Sequence, residues 1–102
     1  MKILFSPLAL DRIAEIEARL VEISGRATAD RLLATIKEKT LLLSTMPRMG
    51  RVVPELGDVD VRELIIVPYR LVYQVRESAR LIEVHTIVHS RQQFPLDEFL
   101  DD

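Results

Sequence analysis

Cysteine and long apolar runs are missing from this 102-residue sequence, and each absence excludes a class of protein. Without cysteine there is no disulfide framework, thiolate zinc site, iron–sulfur cluster or cysteine nucleophile. No stretch approaches the ~20 apolar residues of a membrane span, and the Met1–Pro7 segment is broken too soon for a signal peptide. We therefore expect a cytoplasmic protein without membrane contact, stabilised by packing alone.

Glycine and histidine are also scarce, with three and two residues respectively. Gly25, Gly50 and Gly57 are too scattered to form a phosphate-binding loop. On a strand, His85 and His89 would share one face roughly 13 Å apart, too far to ligate one metal ion. No serine stands in a nucleophile elbow. The sequence thus predicts no metal site and no cofactor.

The formal net charge of −2 is unevenly distributed. Four acidic residues follow Pro95 and leave about +2 on residues 1–95: Asp97, Glu98, Asp101 and Asp102. We expect one compact domain over residues 1–95 and an acidic tail over residues 96–102. Eleven of the fourteen basic residues are arginine, whose planar fork suits directed contacts with carboxylates and phosphates.

The first half of the chain has the pattern of one strand and two helices. Lys2–Phe5 predicts a strand, and Ser6-Pro7 then signals a helix start. The apolar stripe of this first helix is Leu10, Ile13, Ile16, Leu20 and Ile23, and Ser24-Gly25 ends it. A second helix is predicted over residues 28–45, with the stripe Ala29, Leu32, Leu33, Ile36 and Leu43. The short link between them predicts an antiparallel hairpin.

The second half changes to strand periodicity after a turn-rich loop over residues 48–60, which holds a short extended piece at Val52-Val53. Runs over 61–67, 70–76 and 80–88 are joined by short connections, which require antiparallel neighbours. In the last run the alternation places Ile82, Val84 and Val88 on one face and Glu83, His85 and His89 on the other, open face. The order β-α-α-β-β-β predicts an α+β domain with a helical hairpin packed on an antiparallel sheet.

Arginines around the predicted sheet are the candidates for function. Arg76 and Arg80 flank a turn, and we interpret them as structural residues that cover the open face of the sheet. Arg62, Arg70 and Arg91 can converge where strand ends, loop and tail meet, and for these a structural and a functional role both stay open. Two tyrosines lie nearby: Tyr73 is predicted in the core at strand period, and Tyr69 in a turn.

Five segments in sequence order resemble the RelE/ParE toxin superfamily of type II toxin–antitoxin systems. They are Ser6-Pro7-Leu8-Ala9, Met46-Pro47-Arg48-Met49-Gly50-Arg51, Val61-Arg62-Glu63-Leu64, Tyr69-Arg70-Leu71-Val72-Tyr73 and Val88-His89-Ser90-Arg91. None is specific alone, but together they span nearly the whole chain. The resemblance implies the same β-α-α-β-β-β fold.

Mechanism divides the superfamily: RelE-like members cut messenger RNA in the ribosomal A site, whereas ParE-like members poison DNA gyrase. Aligned on Tyr69-Arg70, the positions of the RelE lysines hold Val61 and Glu63, and no tyrosine follows Tyr73. Cleavage of RNA needs groups that transfer protons, which arginines do not supply. The resemblance therefore favours the ParE-like branch, a toxin that stabilises the gyrase cleavage complex with DNA and is not itself an enzyme.

Two alternatives stay open. One is a ribosome-dependent endoribonuclease of the RelE or YoeB kind, with Arg70, His89 and Arg91 as its catalytic residues and Glu55 or Glu63 beside them. The other is a superfamily member with a different or degenerate activity.

The partners that the resemblance implies are a ParD-like antitoxin and DNA gyrase, or the ribosome and messenger RNA in the nuclease alternative. A toxin dimer within a toxin–antitoxin hetero-oligomer and a role in plasmid stabilisation are compatible with it. The residues expected to contact target or antitoxin are Arg51, Arg62, Tyr69, Arg70, His89 and Arg91.

Overall fold

A computed structural model describes residues 1–100 of the chain. The elements are β1 (Lys2–Phe5), α1 (Pro7–Ser24), α2 (Arg26–Leu42), β2 (Arg51–Val52), β3 (Val61–Ile66), β4 (Tyr69–Arg76) and β5 (Leu81–His89), with 3-10 turns at Glu77–Ala79 and Leu96–Phe99. The predicted α+β order is confirmed, and the two-residue strand β2 overlaps the expected extended piece at Val52-Val53 by one residue. Helix α2 is shorter than predicted at its end, because residues 43–45 form turns.

Ser6 joins the start of α1 to the sheet. Its Oγ accepts the Ala9 N–H at 3.0 Å and donates to the His85 carbonyl at 2.7 Å, so one hydroxyl caps the helix and anchors it on β5. Gly25, at a φ of 91°, separates the two helices. Among residues 1–100, neither helix has the length and hydropathy required to cross a bilayer.

The sheet has the strand order β1-β5-β4-β3-β2 and is mixed. Strands β3, β4 and β5 pair antiparallel as predicted, and β2 also pairs antiparallel with β3, but β1 runs parallel to β5. The prediction of an antiparallel sheet rested on the short connections between β3, β4 and β5. Both helices and three strands separate β1 from β5 along the chain, so no tight turn imposes a direction on that pair.

The main core lies between the helices and the sheet. Its buried members include Ala9, Ile36, Leu43, Leu64, Leu71, Tyr73, Ile82, Val84 and Ile87. The predicted α1 stripe is only partly correct: Ile13 and Ile16 pack on this core, but Leu10 and Ile23 are exposed. Fully buried Ala9 takes the place in the first turn that the pattern assigned to Leu10.

A β-bulge at His85 divides β5 into two halves with opposite alternation. Val72 pairs with Thr86 and Tyr73 pairs with Val84, so His85 has no partner on β4. The prediction that His85 and His89 share a face is therefore wrong, and so is the grouping of Val88 with Ile82 and Val84. One extra residue in the strand moves every side chain beyond it to the other face.

The face predicted to be open carries a second, smaller core. Val53, Val61, Val72 and Phe94 are buried there, with Leu56 and Phe99 packed against them. The Phe99 ring lies 4.3 Å from the His85 ring. Residues 94–99 thus cover part of the sheet, whereas Asp101 and Asp102 of the predicted acidic tail lie outside the described residues.

Candidate functional site

Arg70 is the centre of a charged network on the second face of the sheet. Its Nε donates to Glu63 at 2.6 Å, and its two Nη atoms donate to both oxygens of Glu55 at 2.9 and 2.7 Å. The Glu63 side chain is 0% exposed, and its other oxygen accepts from Arg51 at 2.7 Å. The Arg70 guanidinium also lies over the Phe94 ring, 4.9 Å from its centroid. Every guanidinium nitrogen of Arg70 therefore donates a hydrogen bond to a carboxylate of the protein itself.

This network fixes the protonation of Glu55 and Arg70. Hydrogen bonds from Arg70 lower the pKa of Glu55 to about 2, although burial opposes the shift. The same hydrogen bonds, to Glu55 and then Glu63, raise the pKa of Arg70. A general acid or base works best with a pKa near the operating pH. Glu55 and Arg70 are both far from that range and act as fixed charges.

The lowered pKa of Glu55 predicts a specific acid sensitivity. The ion pair between Glu55 and Arg70 contributes its full stabilisation at pH values above about 4.5, the pKa of Glu55 in the unfolded chain. That contribution is lost as the pH falls from there towards about 2, the pKa of Glu55 in the folded protein. Urea unfolding at about pH 5 and about pH 3 should show that Glu55→Gln loses less stability between them than the parent protein. Glu38→Gln on α2 is the control and should keep the parent's loss. Equal losses in Glu55→Gln and the parent would contradict the prediction.

Tyr69, His89 and Arg91 gather at the end of the sheet. The prediction of a turn position for Tyr69 is wrong, because Tyr69 is the first residue of β4 and is paired with His89 of β5. The two rings meet edge to face with centroids 5.6 Å apart. The Arg91 backbone N–H donates to His89 Nδ1 at 3.0 Å, which leaves Nε2 as the hydrogen-bearing nitrogen in the neutral ring. Arg91 is exposed and lines a cavity of about 440 Å³ with Ile65 and Val67.

Arg62 lies apart from both groups. Its Nε donates to the Val59 carbonyl at 3.0 Å, and its Nη1 donates to the carbonyls of Arg48 and Gly50 at 3.2 and 3.0 Å. Arg62 thereby holds the 48–60 loop against β3. Of the residues predicted from the sequence, the structure brings Arg51 to Arg70, brings Tyr69 to His89 and Arg91, and leaves Arg62 separate.

The register of β4 and β5 decides whether the nuclease residues can act together. Arg70 is paired with Val88, and Tyr69 with His89. Adjacent residues of a strand point to opposite faces, so Arg70 and His89 lie on opposite faces of the sheet. Within residues 1–100 there is also no group of three or more histidine and acidic side chains positioned for a metal ion.

Sequence reasoning overlooked a cleft beside α1. A space of about 250 Å³ is lined by Glu15 and Arg19 of α1, by Tyr69 and His89, and by Gln92. The spacing of Glu15 and Arg19 predicts an i, i+4 ion pair on the helix surface. An arginine paired in this way is not a candidate for binding a ligand. Among the described residues, no such pair is formed and Arg19 has no carboxylate partner. Only the fold could reveal that both side chains face the strand ends.

Comparison with known proteins agrees with this architecture. Residues 3–94 match the profile of the ParE toxin of type II toxin-antitoxin systems, parDE. Among solved structures, the chain is similar to one described as the chromosomal ParDE toxin–antitoxin system from P. aeruginosa, with a TM-score of 0.71, 20% identity, and coverage of 87% of this chain and 95% of that one.

Structures of RelE proteins are also similar. The isolated E. coli RelE toxin matches with a TM-score of 0.61 and 19% identity over 96% of this chain and 93% of that one. The intact E. coli RelBE toxin–antitoxin complex matches with a TM-score of 0.58 and 20% identity over 86% and 94%. No curated protein matches the sequence. Because the family profile covers most of its length, the chain belongs to the ParE toxin family and is the toxin of a type II toxin–antitoxin system.

Proposed function

We propose that this toxin acts in the cytoplasm by stabilising the cleavage complex of DNA gyrase with DNA, without cutting nucleic acid itself. The observation that carries the proposal is the position of Arg70. It matches an arginine of the RelE nucleases, yet all its nitrogens are bound by Glu55 and Glu63. The two carboxylates offset the charge of Arg70 and occupy three of its five N–H donors, so Arg70 is poorly placed to neutralise a scissile phosphate as well.

The surroundings of Arg70 also disfavour RNA cleavage. Glu63 and Glu55 add negative charge where a cleaving enzyme needs cations for the phosphorane. Each proton-transfer step contributes ~10²–10⁴ in rate, and neither Glu55 nor Arg70 has a pKa suited to it. His89, the remaining candidate for proton transfer, lies on the other face of the sheet. These features support a protein that binds its target.

Neutralisation by a ParD-like antitoxin forms the second part of the proposal. One similar structure is described as an E. coli RelE mutant in complex with a peptide of the antitoxin RelBc. In the present chain, Leu10 and Val21 on α1 and Leu41 and Leu42 on α2 are exposed apolar side chains of the helical hairpin. An antitoxin segment that folds on the toxin would cover them and direct acidic side chains towards Arg91.

The test incubates purified toxin with gyrase and supercoiled plasmid and traps linear DNA with detergent and protease. A parallel reaction looks for A-site cleavage of messenger RNA on programmed ribosomes. We expect linear plasmid and intact messenger, and no linear plasmid when the antitoxin is added first. Arg91→Ala should reduce trapped DNA about tenfold or more if Arg91 anchors the contact, whereas Arg76→Ala, whose arginine pairs with Glu83, should match the parent.

Cut messenger with an undisturbed plasmid would overturn the proposal. It would identify the chain as a ribosome-dependent endoribonuclease, with His89 as the first candidate for the proton-transfer group.

A further inference from the structure

Four of the eleven arginines lack an ion-pair partner or a backbone anchor in the part of the chain that is described, residues 1–100. Six form ion pairs, and Arg62 binds backbone carbonyls. Those left are Arg19, Arg31, Arg80 and Arg91. Two of the four line neighbouring cavities at one end of the sheet: Arg19 in the cleft of about 250 Å³ and Arg91 in the cavity of about 440 Å³.

His89 lines both cavities, so the two cavities adjoin at this residue. Its ring meets that of Tyr69, which lines the smaller cleft with Arg19. We call this continuous surface, formed by Arg19, Tyr69, His89 and Arg91, the strand-end track. It combines two guanidinium groups that have no carboxylate partner among residues 1–100 with two aromatic rings: Tyr69 lies in the cleft with Arg19, and His89 lies where the two cavities adjoin.

We propose that the strand-end track binds a short single-stranded segment of nucleic acid, with phosphates on Arg19 and Arg91 and a base against Tyr69. Single-stranded nucleic acid is bound by cations that follow the backbone and by aromatic side chains that stack on bases. Arginine adds directed, paired hydrogen bonds to phosphate oxygens. This inference concerns a nucleic-acid contact and does not depend on contact with gyrase.

The other polar groups of the cleft limit what it can hold. Glu15 is the one carboxylate among its lining residues, and Gln92 adds an amide. A carboxylate repels phosphate but accepts N–H bonds from the edge of a base, so Glu15 suits the base position. Arg12 also lines the cleft, but its guanidinium is already bound to both oxygens of Glu98. With two available cations the track serves one or two phosphates, not a long polyanion.

The experiment measures binding of fluorescein-labelled single strands of about 10 nucleotides, as DNA and as RNA of the same sequence, by fluorescence anisotropy at about 50 mM salt. The full chain should bind, and Arg19→Ala should weaken binding about tenfold. Tyr69→Leu, which retains apolar volume but removes the ring, should weaken it by a similar factor. The ratio of DNA to RNA affinity identifies which polymer the track prefers.

Arg80→Asn is the matched control, because it removes the same charge at the opposite end of β5. Arg80 has a φ of 49°, a conformation that asparagine tolerates. This variant should bind within about twofold of the parent, as expected for a charge outside the track. Absence of binding by the parent chain, or an equal loss in Arg80→Asn and Arg19→Ala, would overturn the inference. Either result would leave the gyrase proposal intact, because the assay contains no gyrase.

Discussion

Arg70→Ala should destabilise the fold by about 3 kcal/mol, since it removes the cation that compensates two carboxylates at once. Glu63 has a fully buried side chain and would keep only the bond from Arg51, whose side chain is largely exposed. A buried charge left with one exposed partner is costly because the protein interior solvates it poorly. The variant also loses the packing of the guanidinium on Phe94. Equilibrium urea unfolding at neutral pH would measure the change.

Two further variants separate this effect from a general loss of charge. Arg76→Ala breaks an exposed pair with Glu83 and should change stability by less than about 0.5 kcal/mol. The double variant Arg70→Met/Glu63→Leu removes the buried charges together and should recover much of the loss. A cost below about 1 kcal/mol for Arg70→Ala would mean that water screens the network in solution. This stability effect must be measured before any loss of toxicity in Arg70 variants is attributed to the target.

Gly50→Ala should cost about 3 kcal/mol, because its new methyl group would collide with two buried neighbours. A Cβ at Gly50 would lie 2.6 Å from the Glu63 carbonyl oxygen and 2.7 Å from the Tyr73 hydroxyl oxygen. Tyr73 is 0% exposed, and its hydroxyl accepts the Gly50 N–H at 3.0 Å. Neither the strand backbone nor the packed ring can move away cheaply. Thermal or urea unfolding would show the effect.

Gly57→Ala provides the contrast for the steric argument. A Cβ at Gly57 would meet nothing within 4 Å, but the residue has a φ of 63°. Its substitution should cost only the strain of a left-handed residue, about 1 kcal/mol. Adding Tyr73→Phe to Gly50→Ala should relieve only the collision with the hydroxyl, because the contacts with the Glu63 carbonyl and with ring atom Cε1 at 2.9 Å remain and the residue 50 N–H loses its acceptor. A Gly50→Ala variant as stable as Gly57→Ala would show that the backbones do not approach so closely.

Local chemistry alone determined the order of the elements. Ser6-Pro7 marks the start of α1, Gly25 its end, and the change of apolar period after the 48–60 loop marks the strands. These signals act within a few residues, and here they agree with the global fold. The five segments that resemble the toxin superfamily lie within the residues that match the family profile, so local sequence also indicates the family. The placement of Tyr73 in the core followed from strand period in the same way.

The tertiary structure decided which of these residues meet. The bulge at His85 shifts the alternation of β5, so His89 joins Tyr69 and leaves the face of Arg70. The parallel pairing of β1 with β5 and the packing of Phe94 and Phe99 on the second face are contacts between distant segments. No local pattern encodes them, since they arise only when separate strands and loops compete for the same surface. For the same reason, only the fold determines that Arg70 is held by Glu55 and Glu63 and that Arg19 has no carboxylate partner among residues 1–100.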